Sequence, residues 1–304
     1  MEKAFTGSTI KDSLTRISRL LKKQLLRKNF KFFSILTIAV IFIPPMAASP
    51  SFAHAPLFML APEAPGKGAF DMHTSITHGR QGEERHTEFE QEFTYGLTRG
   101  IAAGISIPFA REEEFPSGEE QSSKTGIENP NVFGQFRFWD KDLPGKKYSS
   151  AIRLASTIPV GDKSMARNKP DFMAGAAYGM ESLKWYYMAD LRYLYHVEDA
   201  GSKPGDRFFA DAAVGLRPEL RGLEETDTVF FLEFNYMNEP YSKTGGVKNP
   251  DTGGTFFFIS PEILISPSNR IMIRAGVQIP IYQDLNGMGE RKDFTFKLVL
   301  ETRY

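Results

Sequence analysis

The sequence predicts an all-β protein: a closed antiparallel transmembrane β-barrel of about 12 strands, with an N-terminal signal peptide. Three observations predict this class. Apolar residues recur at every second position in one segment after another, the period of a strand whose two faces meet different surroundings. The links between the segments alternate between short and long, as the turns and loops of transmembrane barrels do. The final segment keeps its alternation to the last residue, Tyr304.

The N-terminal part of the chain has the pattern of a secretory signal peptide. Nine basic and two acidic residues accompany the apolar run FFSILTIAVIFI, which two prolines and a small-residue stretch follow. We expect cleavage after Ala53, with Ser51 and Ala53 at the small positions. The alternative, a membrane anchor, needs roughly 20 apolar residues, more than this run contains. The predicted parts are a signal peptide at 1–53, an N-terminal periplasmic segment at 54–67 and a barrel at 68–304.

Composition excludes several kinds of chemistry. The chain has 37 basic and 37 acidic residues, and the first 53 residues hold nine and two of them, so the remainder carries 28 against 35, a net charge of −7. An acidic exported protein is a poor nucleic-acid binder, because such binding draws on basic patches. The chain has no cysteine, which excludes cysteine nucleophiles and thiolate metal sites. No cofactor is predicted.

The predicted strands follow one another from residue 68. The first spans 68–79. The second, RHTEFEQEFTYG, places Phe89 and Phe93 on one face and Glu88 and Glu90 on the other. The third, at 101–109, alternates isoleucine with alanine, glycine and serine. The remaining strands share this period: NVFGQFRFW, YSSAIRLASTIPV, DFMAGAAYGM, WYYMADLRYLYHV, RFFADAAVGLR, TVFFLEFNY, TFFFISPEILI, RIMIRAGVQIPIY and KDFTFKLVLETRY.

The links and the last strand indicate closure. Short links such as GLTRG and ESLK alternate with long polar ones, notably REEEFPSGEEQSSKTG and MNEPYSKTGGVKNPDTGG. Because unpaired backbone groups in lipid cost several kcal/mol each, we expect the last strand to pair with the first. Tyr304 then belongs to the aromatic girdle at the membrane interface. A secreted β-sandwich is the soluble alternative, but its strands are commonly shorter and its apolar faces enclose a dry core.

Three stretches carry a resemblance to a known family: FTYGLTRGIAAGISIPF, NVFGQFRFW and ISPEILISPSNRIMIRAGVQIPIYQDLNG. They combine a Y-G-L-T turn before an I-x-I-P strand with a late S-P strand that leads into R-A-G-x-Q-x-P. In this the chain resembles bacterial outer-membrane proteins assigned to transport in the MetA pathway of phenol degradation, over most of its length after residue 53. The resemblance implies a closed outer-membrane barrel that passes small organic molecules. It carries over no catalytic residue.

The inward faces of such a barrel are charged. A set of acidic and basic residues has lumen parity: Glu88, Glu90, Glu92, Arg137, Arg153, Asp190, Arg192, Arg217, Arg274, Lys297 and Arg303. Opposed acidic and basic walls would orient polar solutes in a narrow aqueous pore. Alternatively, the charges pair across the lumen and occlude it, since a lumen of about twelve strands is small enough for side chains to reach well inward.

Histidines raise two further alternatives. His73 and His86 have lumen parity on adjacent strands and are weak candidates for a copper or zinc site, because imidazole suits such metals; their spacing is not that of a tight metal motif, so no metal site is predicted. An outer-membrane enzyme would need a serine and an orienting carboxylate beside a histidine, and His196 with Asp190 or Asp199 is the candidate set. No G-x-S-x-G motif supports it, so no enzyme activity is predicted.

The predicted function is a passive outer-membrane channel for small organic solutes, aromatic ones included, in a Gram-negative bacterium. The alternatives are a structural or interaction barrel with an occluded lumen, an outer-membrane enzyme and a metal-binding barrel. The predicted partners are outer-membrane lipid, the solute, and the outer-membrane assembly machinery, which would recognise the C-terminal strand ending at Tyr304. The stretch PLFMLAPEAPGKG before the first strand is expected to be a plug or a tether, docked at the barrel mouth because its apolar side chains would not lie bare in water.

Overall fold

The computed structural model describes residues 55–115, 121–220 and 225–304; the predicted signal peptide at 1–53 lies outside them. The described residues form sixteen strands, numbered in chain order. They are β1 Phe70–Gln81, β2 Glu84–Gly96, β3 Ile101–Glu114, β4 Ser122–Ile127, β5 Asn131–Leu143, β6 Lys146–Thr157, β7 Asp171–Ser182, β8 Trp185–His196, β9 Ser202–Lys203, β10 Arg207–Leu216, β11 Asp227–Glu239, β12 Lys243–Thr244, β13 Val247–Lys248, β14 Gly254–Ser268, β15 Ile271–Leu285 and β16 Lys292–Arg303.

Twelve of these strands close into an antiparallel barrel, which confirms the predicted fold class. Each pairs with its sequence neighbour within the barrel, and β1 pairs with both β2 and β16. The closing ladder runs from Asp71 opposite Arg303 to Gln81 opposite Lys292. The backbone groups of Phe70 and Tyr304 also bond to each other in both directions. Closure thus pairs the first and last strands of the wall with each other, which would otherwise be its free edges.

The other four strands explain why sixteen segments make a twelve-stranded wall. β4 pairs with the second half of β3, whose first half pairs with β5, so β4 and β5 together complete one neighbour of β3. β9, β12 and β13 form a separate three-stranded sheet. The sequence analysis treated the three links that contain these strands as loops. Their residues are polar on both faces, so no two-residue hydrophobic period marks them.

The first strand begins at Phe70, two residues later than predicted. Gly68 has a φ of 78°, a left-handed conformation that a glycine adopts without strain but a strand does not contain. Its N–H donates to the carbonyl of Gly96 instead of to a ladder partner. A turn therefore precedes the strand.

The barrel is apolar outside and polar inside. Large side chains such as Leu154, Leu191 and Ile281 are 55–62% exposed on the outer face. Glu233, Glu301 and other ionisable side chains are buried on the inner face. Among the described residues, none belongs to a helix that is long and apolar enough to cross a membrane.

The two ends of the barrel differ. One end, called here the short-turn end, carries the tight links after β2, β5, β7 and β14, together with the start of β1 and the end of β16. The opposite end, called the long-loop end, carries β4 and the three-stranded sheet of β9, β12 and β13. Residues 55–69 lead into β1 at the short-turn end. This part of the chain therefore reaches the lumen from that end.

Candidate functional site

The lumen holds a segment of the chain itself. Residues 55–66, called here the lumen segment, run between inward-facing side chains of the wall. Leu57 N–H donates to the carboxylates of Glu233 (2.7 Å) and Glu262 (3.1 Å), both near the middle of their strands. Leu60 N–H donates to Asp190 (2.7 Å), which also lies mid-strand. The segment thus reaches well inside the barrel, beyond the mouth at which docking was expected.

The wall also donates hydrogen bonds to the segment. Arg274 donates to the carbonyl of Ala55 (2.9 Å), and Arg192 donates to that of Phe58 (3.1 Å). Gln135 donates to the carbonyls of Ala61 (3.3 Å) and Glu63 (2.7 Å). An extended peptide has few internal partners, and buried backbone groups need partners, so the wall supplies them.

Apolar contacts fix the segment on one side of the lumen. The Leu57, Met59 and Leu60 side chains are 6–8% exposed. Met59 packs in a cluster of inward residues: Tyr186, Met188, Ala213, Val229, Phe231, Leu264 and Met272. This side of the barrel therefore has a small hydrophobic core, to which the segment contributes a residue.

A glycine on β7 allows the segment to lie close to the wall. A Cβ at Gly179 would stand 2.9 Å from Pro62 Cγ, closer than real side-chain contacts allow. The ring of Pro62 therefore occupies the space that any larger residue at this position would need.

The acidic side chain of the segment is buried beside another carboxyl. Ser149 Oγ donates to Glu63 (2.9 Å), and Glu181 of β7 lies next to it. Burial, and after it the Glu181 carboxylate, raise the pKa of Glu63 from the usual 4.5 to about 8. The protonated form of Glu63 is therefore favoured in the docked segment.

A cavity of about 200 Å³ remains between the segment and the wall. Its apolar side consists of Leu57, Met59, Leu60 and Pro65 from the segment. Its polar side consists of wall residues of both signs: Asp71, His73, Glu90, Glu92, Arg153, Arg274, Lys297, Glu301 and Arg303. The cavity can therefore contact an apolar group on one side and charged or polar groups on the other.

Among the residues predicted to line the lumen, the arginines mostly pair with acids on the same or a neighbouring strand. Arg192 pairs with Asp190 (2.9 Å) and with Asp211. Arg274 pairs with Glu301 (3.0 Å). Arg303 pairs with the same Glu301 (2.6 Å) and, more distantly, with Asp71 (3.9 Å), and Arg217 pairs with Asp227 (2.9 Å).

The other predicted residues lie at different heights. Arg153 reaches across two strands to Glu92 (3.3 Å) and covers the Phe133 ring at 3.5 Å. Glu90 and Lys297 line the cavity, and Glu88 lies near His86 (3.9 Å) towards the long-loop end. Arg137 lies at the short-turn end, where it donates to the carbonyl of Arg99 (2.6 Å).

The sequence analysis missed three acidic residues with functional contacts. Glu233 and Glu262 accept backbone N–H groups of the lumen segment, and Glu301 pairs with two arginines. All three have lumen parity on predicted strands, which was the available signal. Their burial could not be read from parity, because parity assigns a face and not the neighbour that covers it.

Two groups of side chains bring possible metal ligands together. His86, Glu112 and Glu128 place ligand atoms within 4.8 Å of one another at the long-loop end. Burial, and after it the neighbouring Glu88, raise the pKa of Glu128 to about 7. Asp71, His73 and Glu301 form the second group. Both ring nitrogens of His73 lie 3.4 Å from carboxylate oxygens, an ion-pair arrangement that occupies the positions a metal would need.

The histidine considered for an enzyme has a different partner from those expected. His196 Nδ1 lies 3.0 Å from Asp171, and Arg167 contacts both side chains. Asp190 instead holds Arg192 and the lumen segment, and Asp199 accepts the N–H of Asn168. Within the described part of the chain, no serine hydroxyl bonds to His196, so the contacts do not form a serine–histidine–acid arrangement.

The fold and the lumen define the class: a twelve-stranded β-barrel of the outer-membrane type. The chain is similar in structure to an outer membrane channel from Pseudomonas putida F1, with a TM-score of 0.63, 11% identity, and coverage of 80% of this chain and 98% of that one. At this identity the similarity supports the fold. The β domain of the Bordetella autotransporter BrkA matches with a TM-score of 0.47 and 8% identity over 78% of this chain and 100% of that one.

The NanC porin matches with a TM-score of 0.47 and 10% identity over 75% of this chain and 98% of that one. No protein-family model matches the sequence, and no curated protein matches it. The resemblance to MetA-pathway transporters therefore stays a prediction.

Proposed function

We propose that the protein is a passive channel for small organic solutes in the outer membrane of a Gram-negative bacterium. The observation that carries the proposal is the cavity of about 200 Å³ between the lumen segment and a charged wall. A cavity of this size can hold one small organic molecule. The apolar segment on one side and charged groups on the other suit a solute with an apolar body and a polar group, such as an aromatic acid. The resemblance to MetA-pathway transporters points to the same class.

The outer surface supports the membrane location. Apolar side chains cover the outer face, where lipid would contact them, and ionisable groups are kept inside. The proposal includes export by the signal peptide at 1–53, and recognition of the C-terminal strand ending at Tyr304 by the outer-membrane assembly machinery. Cleavage after Ala53 would make His54 the N-terminal residue, one position before Ala55, whose carbonyl Arg274 holds. Mass spectrometry of the protein isolated from membranes checks this terminus.

The second candidate is a barrel whose lumen is permanently occluded. The buried side chains of the lumen segment and its hydrogen bonds to six strands favour it. In that case the segment is a structural part of the core, and the charged wall serves to satisfy it. No catalytic activity is assigned to either candidate.

Conductance in planar bilayers and solute uptake into liposomes separate these candidates. The mature protein should conduct weakly and admit small aromatic acids, whereas deletion of residues 54–66 should raise conductance and admit larger solutes. Met288→Ala, an 89% exposed position between β15 and β16, is the control and should match the wild type. Absence of conductance and uptake in the wild type, with both restored by the deletion, would favour the occluded barrel. Unchanged conductance after the deletion would refute the narrowing role of the segment.

A further inference from the structure

The three-stranded sheet at the long-loop end carries a row of lysines. Lys203 of β9, Lys243 of β12 and Lys248 of β13 stand directly opposite one another in the ladder. Directly opposite residues in an antiparallel sheet point to the same face, so the three ammonium groups share one face. Like charges in this arrangement destabilise a sheet. The row therefore calls for a negative partner.

Among the described residues, one carboxylate pairs with this row. Lys203 Nζ donates to Asp206 (3.0 Å), and no ion pair is formed by Lys243 or Lys248. Asp206 also accepts the backbone N–H of His196 (2.9 Å). Of the three lysines, Lys203 alone has a carboxylate partner, and Lys248 Nζ lies 5.8 Å from the centre of the Tyr241 ring.

The row lies immediately beyond the outward aromatic residues of β8. Lys203 Nζ is 4.3 Å from the centre of the Tyr195 ring, and Tyr193 OH reaches Asp206 (3.4 Å). Both tyrosines are on the outer face, 43% and 48% exposed. Aromatic residues at strand ends mark the interface between the hydrocarbon and the polar layer in transmembrane barrels. In an outer membrane, Lys203 would therefore lie at the level of the lipid headgroups.

We propose that Lys203, Lys243 and Lys248 form a binding site for the phosphate groups of outer-leaflet lipids. The inference rests on the proposed outer-membrane location and on the orientation that places long loops outside. A phosphorylated headgroup supplies more than one negative charge, which neutralises adjacent ammonium groups and relieves their mutual repulsion. Its acyl chains would then lie along the apolar outer face below Tyr195. Lysine acts on phosphate as a point charge and needs no fixed fork geometry, so a short sheet suits it.

Binding of diphosphoryl lipid A to the purified mature protein in detergent micelles, followed by native mass spectrometry, tests the site. A basic residue near a lipid surface contributes enough to change affinity roughly fivefold. We expect about hundredfold weaker binding for the triple variant Lys203→Gln, Lys243→Gln and Lys248→Gln, and about fivefold weaker binding for Lys243→Gln alone. The charge-matched control, Lys141→Gln with Lys146→Gln and Lys184→Gln, changes exposed lysines at the short-turn end and should bind like the wild type.

Two further binding measurements identify the ligand. Lipid A without its phosphates should bind the wild type as weakly as the triple variant binds diphosphoryl lipid A, and inorganic phosphate should not displace the lipid at equal concentration. Wild-type affinity in the triple variant, or displacement by equimolar phosphate, would overturn the inference. Conductance of the triple variant is measured in parallel. Lost lipid binding with normal conductance supports the site independently of the channel, and lipid binding by a barrel that conducts nothing would refute the channel alone.

Discussion

Replacement of Glu63 by glutamine should remove a pH dependence from the docking of the lumen segment. Glu63 is the acidic residue of this segment, and its carboxyl group lies beside that of Glu181 of the wall. Its pKa is about 8 when docked, mainly because burial disfavours the charged form, and about 4.5 in water. The docked state therefore holds a proton that the undocked state releases at neutral pH.

The sign and size follow from linkage. Since the pKa is raised in the docked state, docking is strongest below pH 4.5 and weakens as the pH rises to about 8. Within this window each pH unit weakens docking by about 1.4 kcal/mol, which is tenfold in the ratio of docked to undocked segment. Ionising Glu63 in place costs roughly 5 kcal/mol in all, from the difference of about 3.5 between the two pKa values.

Thiol labelling measures this equilibrium directly, because the chain has no native cysteine. Leu57→Cys, buried in the docked segment, reports undocking, and Val247→Cys, at a 71% exposed position, reports the pH dependence of the thiol reaction itself. The ratio of their labelling rates should rise about tenfold per pH unit between pH 5 and 8. The slope should be clearly smaller in Glu63→Gln. In Glu181→Gln it should persist but end at lower pH, since a neighbouring carboxylate no longer raises the pKa of Glu63.

A slope that Glu63→Gln leaves unchanged would refute the reasoning, because the main titrating group would then be elsewhere. A flat ratio in the protein with native Glu63 would refute it equally. Asp293→Asn is the control. It removes a carboxylate that pairs with Arg80 at the long-loop end, and it should leave the slope unchanged.

Three other changes probe the lumen. Burial and like-charged neighbours raise the pKa of Glu128 to about 7. Cation selectivity, read from reversal potentials, should therefore increase as the pH rises through 7, and it should depend less on pH in Glu128→Gln. An unchanged pH profile in this variant would show that Glu128 does not line the ion pathway. Met59→Ala removes a side chain that is 8% exposed and should weaken docking by about 2 kcal/mol. This corresponds to roughly thirtyfold faster labelling of Leu57→Cys in the same thiol assay. An unchanged labelling rate would show that Met59 does not contribute to docking. Arg153→Glu places a second carboxylate beside Glu92 at the cavity and should shift the reversal potential towards cation selectivity. Arg137→Glu, at the short-turn end, is the charge-matched control. Equal shifts in the two variants would contradict the assignment of Arg153 to the cavity that narrows the lumen.

The barrel could be predicted from the sequence because its two faces meet different media. A two-residue period assigns each side chain to a face, and the even strand count and alternating links then leave closure as the way to pair the edges. β4 and the sheet of β9, β12 and β13 escaped prediction because both of their faces are polar. The period also assigned Arg192 and Arg274 to the lumen side, but it could not name their partners. Those depend on register between strands distant in sequence, and on a segment that has no period at all.

The lumen segment is held mainly through its backbone, which explains why its side chains did not reveal its position. Pro56, Pro62 and Pro65 have no N–H, so the segment has fewer hydrogen-bond donors that need partners. The fixed φ angles of these prolines also disfavour a regular strand that could pair with the wall. The N–H groups of Leu57 and Leu60 that remain meet wall carboxylates, Glu233 and Asp190 among them. For Glu233 and Glu262, no lysine or arginine forms an ion pair within the described residues; the backbone dipoles of the segment take that role. An isolated carboxylate is costly to bury and is readily hydrated in an open lumen, so undocking exchanges these N–H partners for water at little cost to the wall. We therefore expect the barrel to stay folded whether the segment is docked or released, which the deletion of residues 54–66 would test.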